Sequence, residues 1–314
     1  MAKNLDKVFE TINRRVGQLV KQSERDVVKR YAKTLAEIRA LTATLYEKYE
    51  KDGVLTYADM AKFDRLRKFL NEVNSLLVAN YKDVQRTVYD VLGEVYQEGY
   101  YLTAWAVETD AAAKLAYSTV TSETILEMIN NPVSGLTLKQ TLEKNRSQII
   151  YRIQQEVTQG LVKGETYSTM AKRIKGALDG DATKAVRVVR TEGHRVQESS
   201  KHDSMTHADK QGVRMLKEWN TLEDERVRPG MGLGKKKRRS GANHRMLNGK
   251  QIPVSDNFVG IIGRGPAPGS LHAAGEDINC RCFLTYTVDR IEKAQDTSIE
   301  SLGFDEWKKT RLKA

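Results

Sequence analysis

Apolar residues recur at three- and four-residue steps through the first two hundred positions. From the amino terminus they run Leu5, Val8, Phe9, Ile12, Val16, Leu19, Val20, then Val27, Val28, Tyr31, Leu35, Ile38, Leu41, Leu45 and Tyr49. That spacing places them on one stripe of a long helix. Gly53 is a stop signal, and Thr56 is a cap for a second helix carrying Met60, Phe63, Leu66, Leu70, Val73, Leu76 and Leu77. The stripe extends past Tyr81, Val84, Val88 and Val91, with Gly93 and Gly99 as kinks or contact points and a further helix around Trp105, Val107 and Leu115. Asn130-Asn131-Pro132 marks a break, and Thr137-x-x-Gln140 has the form of a capping box opening a helix through Ile149, Ile153, Val157 and Leu161. After Gly164 the pattern predicts a short helix (Tyr167, Met170, Ile174, Leu178) closed by Asp179-Gly180. Asp181 then opens another, with Ala182, Val186, Val189, Gly193 and Val196 on its apolar stripe.

Beyond His207 the period changes to two. Val213, Met215, Lys217 and Trp219 fall on one strand face, and Cys280 to Val288 alternates. Met246 to Ile252 carries Asn248-Gly249, the signature of a two-residue hairpin turn. Residues 229–243 and 260–277 read as loops. The fold class expected is therefore α+β: a long-helix domain over residues 1–180, a small mixed α+β domain over 181–290, and a tail, 291–314, that forms a terminal helix.

Composition sharpens this picture in two places. No run approaches the roughly 18–20 apolar residues of a spanning helix. The first residues lack a secretory signal, so a cytoplasmic origin is expected. The net charge of +11 is uneven: residues 186–290 hold 19 basic against 12 acidic residues, and Lys235, Lys236, Lys237, Arg238 and Arg239 form an unbroken cationic run. Such a run attracts polyphosphate without regard to sequence, or serves only as a solvated loop.

Candidate chemistry is sparse. Cys280 and Cys282 are too close to staple distant segments, and their i, i+2 spacing turns both thiols to one side. They pack as small apolar groups, or hold a structural zinc with His244; His272 and Asp277 are the other nearby ligand types. Arg187, Arg190 and His194 share a helix face, where Glu192 or Glu198 would complete a buried polar network. No Ser–His–Asp order, Walker loop or His-Glu-x-x-His helix is present.

An ordered series remains. Arg190-Thr191-Glu192-Gly193-His194-Arg195-Val196-Gln197 is followed by Trp219, Asp224-Glu225-Arg226-Val227-Arg228-Pro229 and His244-Arg245-Met246-Leu247-Asn248-Gly249-Lys250. Ile252-Pro253-Val254 and Asn279-Cys280-Arg281-Cys282 close it. Over about a third of the chain the series resembles the carboxy-terminal domain of the phage Mu protein F-like family, the minor head proteins of tailed bacteriophages. The resemblance implies a virion protein with no catalytic residue and no cofactor, bound to the portal inside the capsid and influencing packaged DNA or its exit. Scaffold or major capsid protein are further partners it suggests, and no membrane is. It assigns Arg190, Thr191, Glu192, Asp224, Arg228 and Gly249 to the family framework. The family usually has a histidine just after the Arg-Pro turn, whereas here Gly230 to Asn243 intervene, and this insertion carries the cationic run. Two other readings stand beside it. Glu223-Asp224-Glu225 has the Glu-x-Glu form of ADP-ribosyltransferases, to whose folds the Mu F-like domain has some resemblance; the other reading is a free nucleic-acid-binding protein.

Overall fold

The computed structural model describes residues 3–131, 135–228, 241–292, 294, 296–299 and 301–312. The cationic run at 235–239 lies outside them. Helices come first: α1 (Lys3–Tyr49), α2 (Tyr57–Ala61), a 3-10 turn (Lys62–Asp64), α3 (Arg65–Ala111), α4 (Ser122–Asn130), α5 (Leu138–Val162) and α6 (Tyr167–Lys210). Strands β1 (Val213–Asn220), β2 (Gln251–Pro253), β3 (Phe258–Val259) and β4 (Arg264–Gly265) follow. Then come α7 (Ala274–Asp277), β5 (Phe283–Ile291), a 3-10 turn (Thr297–Ile299) and α8 (Phe304–Arg311). The α+β order expected from the pattern is the one observed. Among the described residues no helix is long and apolar enough to cross a membrane.

The long helices bury a seam that apolar residues alone do not trace. In α1 it runs Ser23, Val27, Tyr31, Thr34, Ile38, Thr42, and in α3 it runs Phe69, Val73, Leu77, Asn80, Val84, Val88, Val91, Val95. Both advance by 11 residues per three turns, which matches the natural helical period closely and requires no left-handed supercoil. Val28, read as part of the stripe, is half exposed because the seam passes through Val27 instead. Thr56 caps α2 by accepting from the Asp59 amide. The second helix is interrupted all the same, since Phe63 and Asp64 both adopt left-handed backbone before α3 begins. From there α3 continues unbroken past Gly93, Gly99 and Trp105, so no separate helix forms around Leu115.

Two compact units divide the chain. One comprises residues 22–89 and 139–189, all helical apart from short connections. Its centre holds Asp181, whose Oδ2 accepts from Tyr31 Oη at 2.7 Å and Tyr81 Oη at 2.6 Å. This explains why Asp179-Gly180 fails to end a helix: Asp181 is anchored to two other helices, and α6 runs through. The tertiary contacts outweigh a local breaker that costs about 1 kcal/mol.

The other unit comprises residues 1–21, 90–138 and 190–314. Its three-stranded antiparallel sheet has the order β2-β1-β5, pairing Leu216 with Pro253 on one side and Trp219 with Leu284 on the other. Val213, Met215, Lys217 and Trp219 are all buried on one face, as their alternation requires. Phe9 of α1 meets Tyr286 of β5 at 5.7 Å. Helices approach closely where a side chain is missing: a Cβ on Gly193 would lie 2.7 Å from Val20 Cγ2, and one on Gly99 would lie 2.1 Å from Ser200 Oγ. In the tail, Trp307 of α8 donates to the buried Glu108 at 2.7 Å, and Arg311 pairs with the same carboxylate at 2.9 Å.

Two local expectations are corrected here. Asn248-Gly249 makes no two-residue hairpin; it lies in a run of turns leading into β2. Asn248 Oδ1 accepts from the Thr221 amide and hydroxyl, and Gly249, at φ +73°, donates to the Trp219 carbonyl at 2.8 Å. The stretch 260–277 is also less loop-like than read, since it contains β4 and α7.

Candidate functional site

The carboxy-terminal residues of the sheet unit converge on a buried cluster. Trp219, at the end of β1, presents its ring edge-on to His244 at 5.5 Å between centroids. His244 is fixed through its backbone, because its amide donates to the Arg228 carbonyl at 2.8 Å. His244, which follows the insertion, is therefore held beside Arg228, which precedes it.

The ring is held on both nitrogens. Nε2 lies 2.7 Å from Glu276 Oε2, while Nδ1 lies 3.3 Å from Cys282 Sγ and 3.6 Å from Cys280 Sγ. Glu276, on α7, is fully buried, and its second oxygen accepts from the Ile261 and Ile262 amides at 3.1 and 3.2 Å. Arg228 donates to the backbone carbonyls of Glu276 and Ile278, tying α7 to the turn that precedes the insertion. Both cysteines are free and buried. They sit just before β5 rather than within it, which corrects their reading as strand residues. The hydrogen bond to Cys282, together with burial, pushes the Cys280 thiol up to about 11. That same bond holds Cys282 below the usual thiol range, against the opposing effect of burial.

Of the ligand types read from the sequence, His244, Cys280 and Cys282 come together, with their ligand atoms within 4.8 Å of one another. His272 is exposed, and the Asp277 carboxylate is occupied by the Leu271 and Ala273 amides at 2.9 and 3.1 Å. Neither joins the cluster.

From the other side α6 contributes a buried polar network that includes the expected Glu192 and Glu198 but is built around other cations. Arg187 and Arg190 are exposed. The buried members are Glu192, Arg195, Glu198 and Lys201. Arg195 Nε pairs with Glu192 at 2.8 Å, and its two terminal nitrogens cap the carbonyls of Met128 and Ile129 at the end of α4. Glu198 accepts from the Leu284 amide at 2.9 Å and pairs with Lys201 at 2.6 Å. Thr191 Oγ1 accepts from the Asn279 amide at 3.3 Å, joining α6 to the Cys-Arg-Cys segment. Asp224 forms a two-point pair with Arg281 at 2.6 and 2.5 Å. Sequence reasoning missed Glu276 and the role of Arg195. An acid in Ala-Ala-Gly-Glu-Asp carries no local signal, whereas Arg195 sits three residues from Glu192, a spacing that places the pair on one helix face.

The cleft beside the cluster, lined in part by Leu222, Arg228, His244 and Cys280, has a volume of about 10 Å³. That suits an ion or one water and is far below the roughly 300 Å³ or more of a cofactor pocket. In the Glu-x-Glu segment Glu223 accepts from Asn248 Nδ2 at 3.0 Å, and Asp224 is engaged by Arg281.

Comparison with known proteins agrees with this domain-level picture. The family model for Phage Mu protein F like protein matches residues 138–232. This takes in Arg190 to Glu192 and Asp224 to Arg228 and stops before His244 and the cysteines. The minor head protein GP7 of Bacillus phage SPP1 is 33% identical over 312 residues, covering 96% of this chain and 97% of that protein. An Enterococcus faecalis protein named NAD(+)--arginine ADP-ribosyltransferase EFV is 24% identical over 289 residues, covering 90% of this chain but only 56% of its own length. No solved structure matches the chain.

Proposed function

Because this chain belongs to the phage Mu protein F-like head-morphogenesis family, we propose that it is a minor head protein. In this reading it is built into the virion in few copies, bound to the portal inside the capsid. The observation that carries it is end-to-end similarity to a minor head protein, 97% of which is covered at 33% identity. A match confined to one module would speak for the module; this one spans both compact units.

The role is one of assembly, made through association with other virion components: the portal protein first, then scaffold or major capsid protein. The helical unit is our candidate for the portal contact. It leaves large apolar side chains in solvent, among them Phe63 (80% exposed) and Tyr151 (67%). Deleting residues 1–130 would be a poor test, since Phe9 and Glu108 serve the sheet unit. Surface substitution is cleaner. Co-expressed with its cognate portal protein, the full chain should co-purify, and the pair Phe63→Ser and Tyr151→Ser should weaken the complex. Undiminished complex would move the contact elsewhere, and no complex at all would remove the portal reading. The cationic run 235–239 supplies a second contact, with packaged DNA.

A catalytic reading rests on the ADP-ribosyltransferase-named relative and on Glu223-Asp224-Glu225. The match leaves 44% of that relative uncovered, and here Glu223 and Asp224 are committed to structural bonds. Labelled nicotinamide dinucleotide with acceptor proteins should give no modification; a robust signal abolished by Glu225→Gln would establish the enzyme.

A further inference from the structure

The geometry points to a structural metal site of the Cys2His2 type, holding zinc between His194, His244, Cys280 and Cys282. Nothing in the minor head role or in the family-model match calls for it, since three of the four ligands lie beyond the matched residues.

Three observations converge. The first is spacing. A zinc ion binds sulfur at about 2.3 Å and nitrogen at about 2.0–2.1 Å, so tetrahedral angles set ligand nitrogen and sulfur roughly 3.5 Å apart. His244 Nδ1 lies 3.3 and 3.6 Å from the two sulfurs. The second is orientation. Metal-bound histidine commonly gives its remote N–H to a carboxylate, which fixes the ring and directs the other nitrogen's lone pair at the ion. Glu276 occupies that place, with one oxygen 2.7 Å from His244 Nε2 and the other pinned by two backbone amides. The third is an available fourth ligand. His194 of α6 neighbours Cys280 and its Nε2 is buried with no hydrogen-bond partner, but its ring nitrogens fall outside the group of ligand atoms lying within 4.8 Å of one another, so the ring has to swing toward the ion to complete the set. A buried ring nitrogen without a partner is costly, and an ion at the cluster supplies one.

The chemistry of the set selects the ion. Two thiolates and two imidazoles suit zinc and exclude magnesium or calcium, which take oxygen ligands. Binding displaces the protons held on the two thiols, while His244 Nδ1 already presents its lone pair. With all four positions taken by protein the ion is closed to substrate, so its role is to clamp. It would join α6, the turn after the insertion and the start of β5, segments that lie up to 88 residues apart in the chain.

The test uses the full-length chain with zinc or cobalt(II) as probe. Metal analysis after dialysis should find about one zinc per chain. Cobalt should give the thiolate charge-transfer absorption and the intense visible bands of tetrahedral geometry. Cys282→Ser should lose both. Glu276→Gln leaves the four ligands in place but reverses the donor on His244 Nε2, and should weaken binding about 10–100-fold. His194→Ala should retain cobalt with altered visible bands, because water replaces one nitrogen. Circular dichroism on each variant separates lost metal from lost fold. Folded wild-type protein that takes up no metal from either probe, or binds cobalt with the weak bands of octahedral geometry, would overturn the proposal. A cobalt spectrum unchanged by His194→Ala would overturn His194 as the fourth ligand.

Discussion

Glu276 is the group whose loss the structure makes most costly near the site. Its carboxylate serves His244 Nε2 at 2.7 Å and the Ile261 and Ile262 amides at 3.1 and 3.2 Å, and the residue is fully buried. Glu276→Ala strands His244 Nε2 away from water and takes the acceptor from two part-buried amides. An orphaned buried partner costs about 1–3 kcal/mol and the two part-buried amides, which water can reach, add less, so the expected loss is about 2–4 kcal/mol, a large share of a typical domain's stability. Glu276→Gln keeps Oε1 for the two amides and turns an amide N–H toward His244, whose tautomer shifts to accept it; the expected loss is under about 1.5 kcal/mol. Gly260→Ala offers an independent route to the same contact, because its Cβ would fall 2.6 Å from Glu276 Oε1 and push the carboxylate aside. Urea unfolding followed by tryptophan fluorescence reads all three, with Trp219 next to His244 as the local reporter. The order expected is Ala at 276 worst, Ala at 260 between, and Gln at 276 mildest. Equal midpoints for wild type and Glu276→Ala would refute the reasoning, since they would mean the carboxylate holds nothing that water cannot.

Asp203, half-buried, accepts from Tyr96 Oη at 2.8 Å, and the burial of its carboxyl raises it to about 6, against the lowering effect of that hydrogen bond. A raised folded pKa favours the protonated form, so its stability contribution is full below about pH 4 and lost as pH rises through 6. Asp203→Asn should gain about 2–3 kcal/mol at pH 8 and nothing at pH 4, checked by thermal melts across that range. For the tail, Glu108→Gln and Trp307→Phe should be coupled by about 1–2 kcal/mol in a double-mutant cycle, because they remove two ends of one buried hydrogen bond; additive effects would separate α8 from Glu108. Replacing Lys235, Lys236, Lys237, Arg238 and Arg239 by Ser should flatten the salt dependence of duplex DNA binding by about 0.9 per lost phosphate contact, and identical slopes would remove the run as a DNA contact.

Much of the fold was legible because burial in long helices and in β1 follows simple periods. Thr56 as a cap and Val213, Met215, Lys217 and Trp219 as one face both follow from local rules. The failures share a physical cause, which is partnership at a distance. Asp179-Gly180 reads as a helix end until Tyr31 and Tyr81 are seen to grip Asp181. Asn248-Gly249 reads as a hairpin until Asn248 is seen capping Thr221. The seam residues Ser23, Thr34, Thr42 and Asn80 are polar, so a hydrophobic search steps around them. At the cluster, His244, Cys280 and Cys282 could be nominated by residue type, but nothing local marks Glu276 as the group that orients them. His194 was read as part of an arginine face that stays in solvent.

The central claim is that this chain is a structural component of the phage head, and composition of assembled heads tests it most directly. Heads should be purified from cells producing the cognate phage with and without an amber stop in this gene, and their proteins quantified by mass spectrometry. The account predicts that the chain sediments with intact heads at far fewer copies than the major capsid protein. It also predicts that heads made without it are altered in assembly or in DNA retention. Heads that never contain the chain, and that form and hold DNA normally in its absence, would contradict it.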